Sequence, residues 1–389
     1  MALGIVYLKQ NKSEAAVKAF LRALEQLPNF TAAQLHLASL YQQQDKRKEA
    51  ADLFATVGLS TPNFDAQVTA GLGLAQCEDY PRAVQVLEKA HAARPESVSV
   101  TYNLALARYQ NRELQPALEM LSTIPSTPEN QKADIFFLRG KLKQSLNLQG
   151  SGEDLGQSCH FDPTNENYCA DAGLELLKQE RFSEALQALE KGLEKSSSSL
   201  ALRSLLGLAQ FRLGKYGEAI ESYTRVIESD PAADASREGL AFLLYLIGDL
   251  DKARGVVEQG LKNPKADFYL SQLQAMILYR ISPQYWSEAM ESANRALQKN
   301  PRFAPSYFLR GKIQMERNQW ETALRDFHKA AELDPKYPLP HFKIAQIYLQ
   351  QGRVQEAEAA RKKFSMLGNL REEELLARQT QDLLMRAVR

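Results

Sequence analysis

APSYFLRGKIQMERNQWETALRDFHKAAELDP, residues 304–335, holds the grammar of the whole 389-residue chain. Small residues stand at Gly311, Ala323 and Ala330, where helix axes have to approach closely, while Tyr307, Trp320 and Phe327 supply the bulk between them. Asn318 interrupts the stretch near its middle. Asp334-Pro335 ends it, because proline cannot continue a helix and biases its predecessor toward extended backbone. The stretch reads as two helices joined by a tight turn.

Working outward, the same stop returns at Pro28, Pro62, Pro95, Pro128, Pro163, the serine run at Ser197, Pro231, Pro264, Pro301 and Pro335. The intervals are 34, 33, 33, 35, 34, 34, 33, 37 and 34 residues. A single globular core has no reason to punctuate itself so evenly, whereas a stack of equal two-helix units does. The small and aromatic positions recur with the stops, at Gly207, Ala219 and Tyr223 in 200–231, at Ala38, Ala50 and Phe54 in 31–62, and at Ala345, Ala357 and Phe364 in 338–367. The expected fold is all-α, a solenoid of about ten to eleven helix-turn-helix repeats over residues 1–367. Residues 370–388 carry one more amphipathic pattern, with Leu376, Leu383, Leu384 and Val388 on one face, so 368–389 is expected to form a capping helix.

Four places depart from the pattern. Met1–Lys9 reads as the last two-thirds of a first helix, so the first repeat is truncated. Either upstream sequence is missing or a neighbour covers the raw stacking face. In 98–128 the end at Ile124-Pro125 implies a shortened second helix. In 265–301, Ser282-Pro283-Gln284-Tyr285-Trp286 makes the turn about three residues longer than elsewhere. In 133–163 the second helix contains Gly150, Gly152 and Gly156, each costing on the order of 1 kcal/mol relative to alanine inside a helix. Residues 147–162 are therefore expected to be a hinge, or a segment held by something other than helix propensity.

The composition excludes more than it identifies. With 48 basic against 47 acidic residues the formal net charge is +1, and no basic footprint for nucleic acid stands out. No apolar run approaches the ~20 residues a membrane helix needs, so an integral membrane protein is not expected. The five histidines are scattered without metal-ligand spacing, and no phosphate-loop, HExxH, CxxCH or GxSxG motif is present. No cofactor, no metal and no enzymatic activity are expected. Cys77 stands alone near the end of a first helix. Cys159 and Cys169 flank the turn at Asp162-Pro163, and two readings stay open for them: a disulfide, which would argue for an exported protein, or two small core residues in a cytoplasmic one.

This recurring set of small, aromatic and proline positions resembles the tetratricopeptide repeat family over nearly the whole chain, and its alanine-rich units have the style of bacterial members. The resemblance implies antiparallel helix pairs wound into a right-handed superhelix, with the first helices lining a concave groove, and a protein-interaction scaffold rather than a catalyst. Carried onto this sequence, it places Tyr102, Leu106, Tyr109, Phe137, Leu208, Phe211, Phe242, Tyr245, Phe308, Met315 and Phe342 on the groove wall. Members that clamp a peptide carboxylate use lysines, asparagines and an arginine there. Phe308, Lys312, Ala170, Leu174 and Leu208 occupy the matching places, so that clamp is not expected. The expected partner is a peptide or helix of another protein, held by apolar and aromatic anchors. The alternatives are that the inner residues are simply core, that the chain assembles head to tail into rings or filaments through its first repeat, or that it is the accessory array of an enzyme.

Overall fold

The computed structural model describes residues 1–125 and 127–368, and the expected capping helix lies outside them beyond Gly368. The described residues form 22 α-helices and two short 3-10 turns, with no strand. They divide into two compact units, one up to residue 168 and one from residue 169 onward.

The first unit holds α1 (Ala2–Lys9) and α2 (Ser13–Gln26), α3 (Thr31–Gln43) and α4 (Arg47–Ser60), α5 (Phe64–Gln76) and α6 (Tyr80–Ala93), α7 (Val98–Gln110) and α8 (Leu114–Ser122), then α9 (Ala133–Ser145) and α10 (Ser151–Phe161). The boundary falls inside α11 (Glu166–Lys178), and the second unit continues with α12 (Phe182–Lys195), α13 (Leu200–Arg212) and α14 (Tyr216–Ser229), and α15 (Asp234–Ile247) and α16 (Leu250–Gly260). It continues with α17 (Phe268–Ile281) and α18 (Trp286–Lys299), α19 (Ala304–Glu316) and α20 (Trp320–Leu333), and α21 (Leu339–Gln350) and α22 (Val354–Leu367). Each odd-numbered helix pairs with the even-numbered helix after it.

The turn inside each hairpin has one design. The residue just past the first helix is left-handed at Asn11, Asp45, Glu78, Arg112, Asn147, Glu180, Gly214, Gly248, Asn318 and Gly352. The next amide then bonds back across the last turn, as from Lys12 N–H to the Tyr7 carbonyl and from Gln319 N–H to the Gln314 carbonyl, both at 2.9 Å. This C-terminal cap satisfies carbonyls that the helix end would otherwise leave open. The exception is the long turn of 265–301. There Ser282 is extended and Pro283–Tyr285 form a 3-10 turn that delivers the chain into α18.

Packing is between neighbours. Ala16 and Phe20 of α2 meet Ala33, Leu37 and Leu40 of α3, and Phe54, Leu74 and Leu87 lie in one cluster drawn from α3 to α7. Each such side chain contributes roughly 1.5–3 kcal/mol when fully buried. The aromatic-and-glycine rule is clearest at Tyr223, which is fully buried with Gly207 on one side and Gly239 on the other. A Cβ at either glycine would lie within 3.0 Å of the ring.

The glycine-weakened second helix forms, and one of its glycines is not where the sequence suggested. Gly150 is the N-cap of α10, left-handed at φ 83°, so only Gly152 and Gly156 lie inside. Buried Asp154 anchors the helix: Arg139 donates from Nε and Nη2 to its two carboxylate oxygens at 2.9 and 2.5 Å, and Lys143 Nζ lies 2.7 Å away. The best repeat has the same fork, from Arg310 to Asp326 at 2.7 and 2.6 Å. In both, the arginine directly precedes the small glycine of the first helix. As expected, α8 is short, at 9 residues.

Candidate protein-binding face

Within each unit the first helices approach one another: α3 meets α5, α5 meets α7 and α7 meets α9, as do α13 and α15, α15 and α17, and α17 and α19. Among the described second helices, α4 and α6 also meet, more extensively than any of these first-helix pairs. In most of each unit it is the first helices that crowd together, and their free sides form the candidate face. On that face, residues four and three apart share a side.

In the first unit, Tyr102, Leu106 and Tyr109 line one side of α7 and Phe137 lies on α9, all four half-buried. The Phe137 ring lies 4.7 Å from that of Tyr168, whose hydroxyl donates to the Asp134 carboxylate. Burial, and then the charge of Asp134, push the Tyr102 phenol up to about 12. Tyr102 and Tyr168, both raised by burial, stay neutral hydrogen-bonding groups at physiological pH.

In the second unit the same register is more closed. Leu208 and Phe211 of α13 and Phe242 of α15 are buried, Phe242 to 1% exposure, while Tyr245 is half-buried. Phe211 meets Phe242 edge-on at 6.0 Å, and Phe242 stacks on Tyr245 at 6.3 Å. The Arg280 guanidinium lies 5.0 Å from the Tyr245 ring and donates to the Tyr245 carbonyl at 2.7 Å. Farther along, Phe308 is buried between Phe327 and Tyr337, Met315 is half-buried, and Phe342 is 39% exposed.

The sequence reading passed over two contributors to this face. One is α17, whose Gln272, Met276 and Tyr279 line a small cavity of about 20 Å³ together with Tyr245, Phe308 and Lys312. Counting from Ala275, as was done from Ala241 and Gly311, would have found them, but the long turn after α17 disguised its repeat. The other is Glu238, one turn before Phe242 on the same side of α15 and 3% exposed.

Cys159 and Cys169 are buried and lie at disulfide distance, whereas Cys77, the C-cap of α5, is a buried free thiol whose pKa is raised by burial. Among the described residues no group of three or more His, Cys, Asp or Glu could hold a metal ion, and no helix is long and apolar enough to cross a membrane.

The comparisons with known proteins agree with this architecture. One tetratricopeptide repeat family model matches residues 7–75, 74–142 and 210–277, over half of the chain, a second matches 170–234, and a TPR repeat model matches 311–352. A TPR repeat-containing protein of Methanocaldococcus jannaschii is 23% identical over 188 residues, 46% of this chain and 32% of that protein. The DnaJ homolog subfamily C member 7 homolog of Dictyostelium discoideum is 26% identical over 188 residues, 45% of this chain and 29% of its own length. The chain thus spans about a third or less of the curated relatives it matches. Among solved structures, yeast Tom70 aligns over 98% of this chain and 91% of its own, at 14% identity and a TM-score of 0.46. The type IV pilus biogenesis factor PilW aligns over 54% and 97%, at 14% identity and a TM-score of 0.48. With its repeated hairpins, left-handed turn caps and family matches over more than half its length, this chain belongs to the tetratricopeptide repeat family.

Proposed function

We propose that this chain is a non-enzymatic scaffold that holds a peptide or helix of a protein partner against the inner face of its first helices. The observation that carries the reading is the cluster of Tyr102, Leu106, Tyr109 and Phe137, half-exposed aromatic and aliphatic side chains presented together by α7 and α9. Rigid aromatic anchors of this kind dominate interface energetics at small conformational cost. Leu208, Phe211, Phe242, Tyr245, Phe308, Met315 and Phe342 extend the same apolar register along the second unit. Helix-in-groove and extended-peptide recognition both use such a surface. A displayed library of random twelve-residue peptides tests the reading. Binders selected on the wild type are expected to lose capture on a Tyr102→Ala, Tyr109→Ala double variant whose thermal unfolding is nearly unchanged. Retained capture would overturn it.

A second reading, head-to-tail self-assembly, is favoured by a separate feature. The outer side of α1 and α2 holds a surface cavity of about 540 Å³ lined by Leu3, Tyr7, Ala19, Arg22, Ala23 and Leu27, with Leu27 55% exposed. Light scattering decides it: growth of mass with concentration that a Leu3→Asp, Leu27→Asp variant abolishes supports assembly, and a monodisperse monomer refutes it.

The disulfide spacing of Cys159 and Cys169 supports an oxidising, exported setting for the chain. Peptide mapping without reductant that recovers both as free thiols would withdraw that support.

A further inference from the structure

The inner face of the second unit contains one feature that an apolar groove does not require. Glu238 is 3% exposed, and its Oε1 is sealed from solvent with no hydrogen-bond partner among the described residues. Leaving a carboxyl oxygen buried and unpaired forfeits hydration without replacing it. Two further carboxylates lead outward from it. Asp234 lies one turn earlier on α15 and is half-buried, with Oδ1 also lacking a hydrogen-bond partner, and Asp267 at the start of α17 is exposed.

Arg237 and Lys299, the cations beside Asp234, have other partners, although Arg237 Nε is buried with no hydrogen-bond partner among the described residues. Arg237 Nη2 donates to the Pro231 carbonyl at 2.9 Å, and its Nη1 stands 3.5 Å from Asp234. Lys299 Nζ donates to the Ala266 carbonyl at 2.5 Å. Three carboxylates, one exposed, one half-buried and one buried, thus stand close enough to feel one another's charge, and Oε1 of the buried one has no hydrogen-bond partner among the described residues.

We infer that this acidic cluster is a subsite for a lysine or arginine side chain of the bound peptide, with Glu238 receiving the cation one turn along α15 from Phe242. The subsite rests on the scaffold reading above and deepens it, because it states what the peptide must carry. A long basic side chain suits such a subsite: its apolar stem can lie along the groove wall while its charged head meets the carboxylates. The group that faces Glu238 along its own helix is Asp234, and from the neighbouring α17 segment it is Asp267. Burial first, then Asp267 and Asp234, push the Glu238 carboxyl up to about 8. At neutral pH the free protein therefore holds Glu238 protonated, and capture of a cation releases about one proton.

The same displayed library is selected in parallel on the wild type and on Glu238→Gln, with thermal unfolding checking that the variant is folded. Wild-type binders are expected to share a lysine or arginine at a constant spacing from an apolar residue, and Glu238→Gln binders to lack it. A selected peptide should bind Glu238→Gln about tenfold more weakly, the worth of a charge-assisted hydrogen bond. Its affinity for the wild type should rise between pH 6 and 8 while its affinity for Glu238→Gln stays flat. Peptides without an enriched basic residue, or equal binding to both proteins, would overturn the subsite and leave the groove standing. A wild type that selects no peptide would overturn both.

Discussion

The inner faces of α7–α9 and of α13–α15 follow one register and meet solvent differently. In the first, Tyr102, Leu106, Tyr109 and Phe137 are half-exposed. In the second, Leu208, Phe211 and Phe242 are buried against one another. Their buried carboxylates differ as well: Asp154 of α10 is gripped by Arg139 and Lys143, while Glu238 Oε1 of α15 has no hydrogen-bond partner among the described residues. Position in a repeat therefore says which way a side chain points. How much of it is left for a partner depends on the bulk that neighbouring repeats bring to the same place.

Alanine substitution gives the largest expected contrast. Phe242→Ala should cost about 4 kcal/mol, as for a fully buried aromatic, and Tyr109→Ala well under half of that. Equal losses in urea unfolding would break the comparison.

Glu238 gives the next. In the folded chain it keeps its proton to about pH 8, whereas in the unfolded chain it releases it near 4.5. Between these values the folded state binds more protons, so its stability is full below about 4.5, falls as pH rises and levels off above about 8. The slope approaches about a kcal/mol per pH unit at its steepest. Glu238→Gln should remove this part of the pH dependence, and unfolding midpoints measured from pH 4 to 9 for both proteins would show whether it does.

Asp154→Ala should destabilise the first unit by about 2–3 kcal/mol, because Arg139 and Lys143 lose their shared carboxylate in a partly buried site. The exposed pair of Arg181 and Glu184 serves as a control, with an expected loss under about 1 kcal/mol. The smallest effect belongs to Tyr223→Phe. Its hydroxyl is buried without a hydrogen-bond partner among the described residues, so removing it while keeping the ring should leave stability unchanged or raise it by about 1 kcal/mol. A clear loss in thermal unfolding would mean that the hydroxyl is satisfied in solution.

Much of the fold was legible because its cause is local. Prolines such as Pro335 stop helices by covalent geometry, and Gly311 faces Phe327 because a small residue there is the only way the two helices can close. The turn caps were less legible. Seven of the ten left-handed positions carry a residue other than glycine, among them Arg112 and Glu78, which advertise nothing about positive φ. For the candidate face, the register of Tyr102, Phe242 and Phe308 was readable, but the part played by α17 was hidden by its long turn.

The sequence alone determined that this chain is an array of helical hairpins with apolar first-helix faces, since a period near 34 residues and helix-stopping chemistry act through nearest neighbours in the chain. Only the tertiary structure decided which of those faces stay open, that Asp154 is paired, and that Glu238 is buried with Oε1 unpartnered among the described residues. Exposure and electrostatics depend on side chains supplied by other helices, whose distances no spacing along the chain specifies.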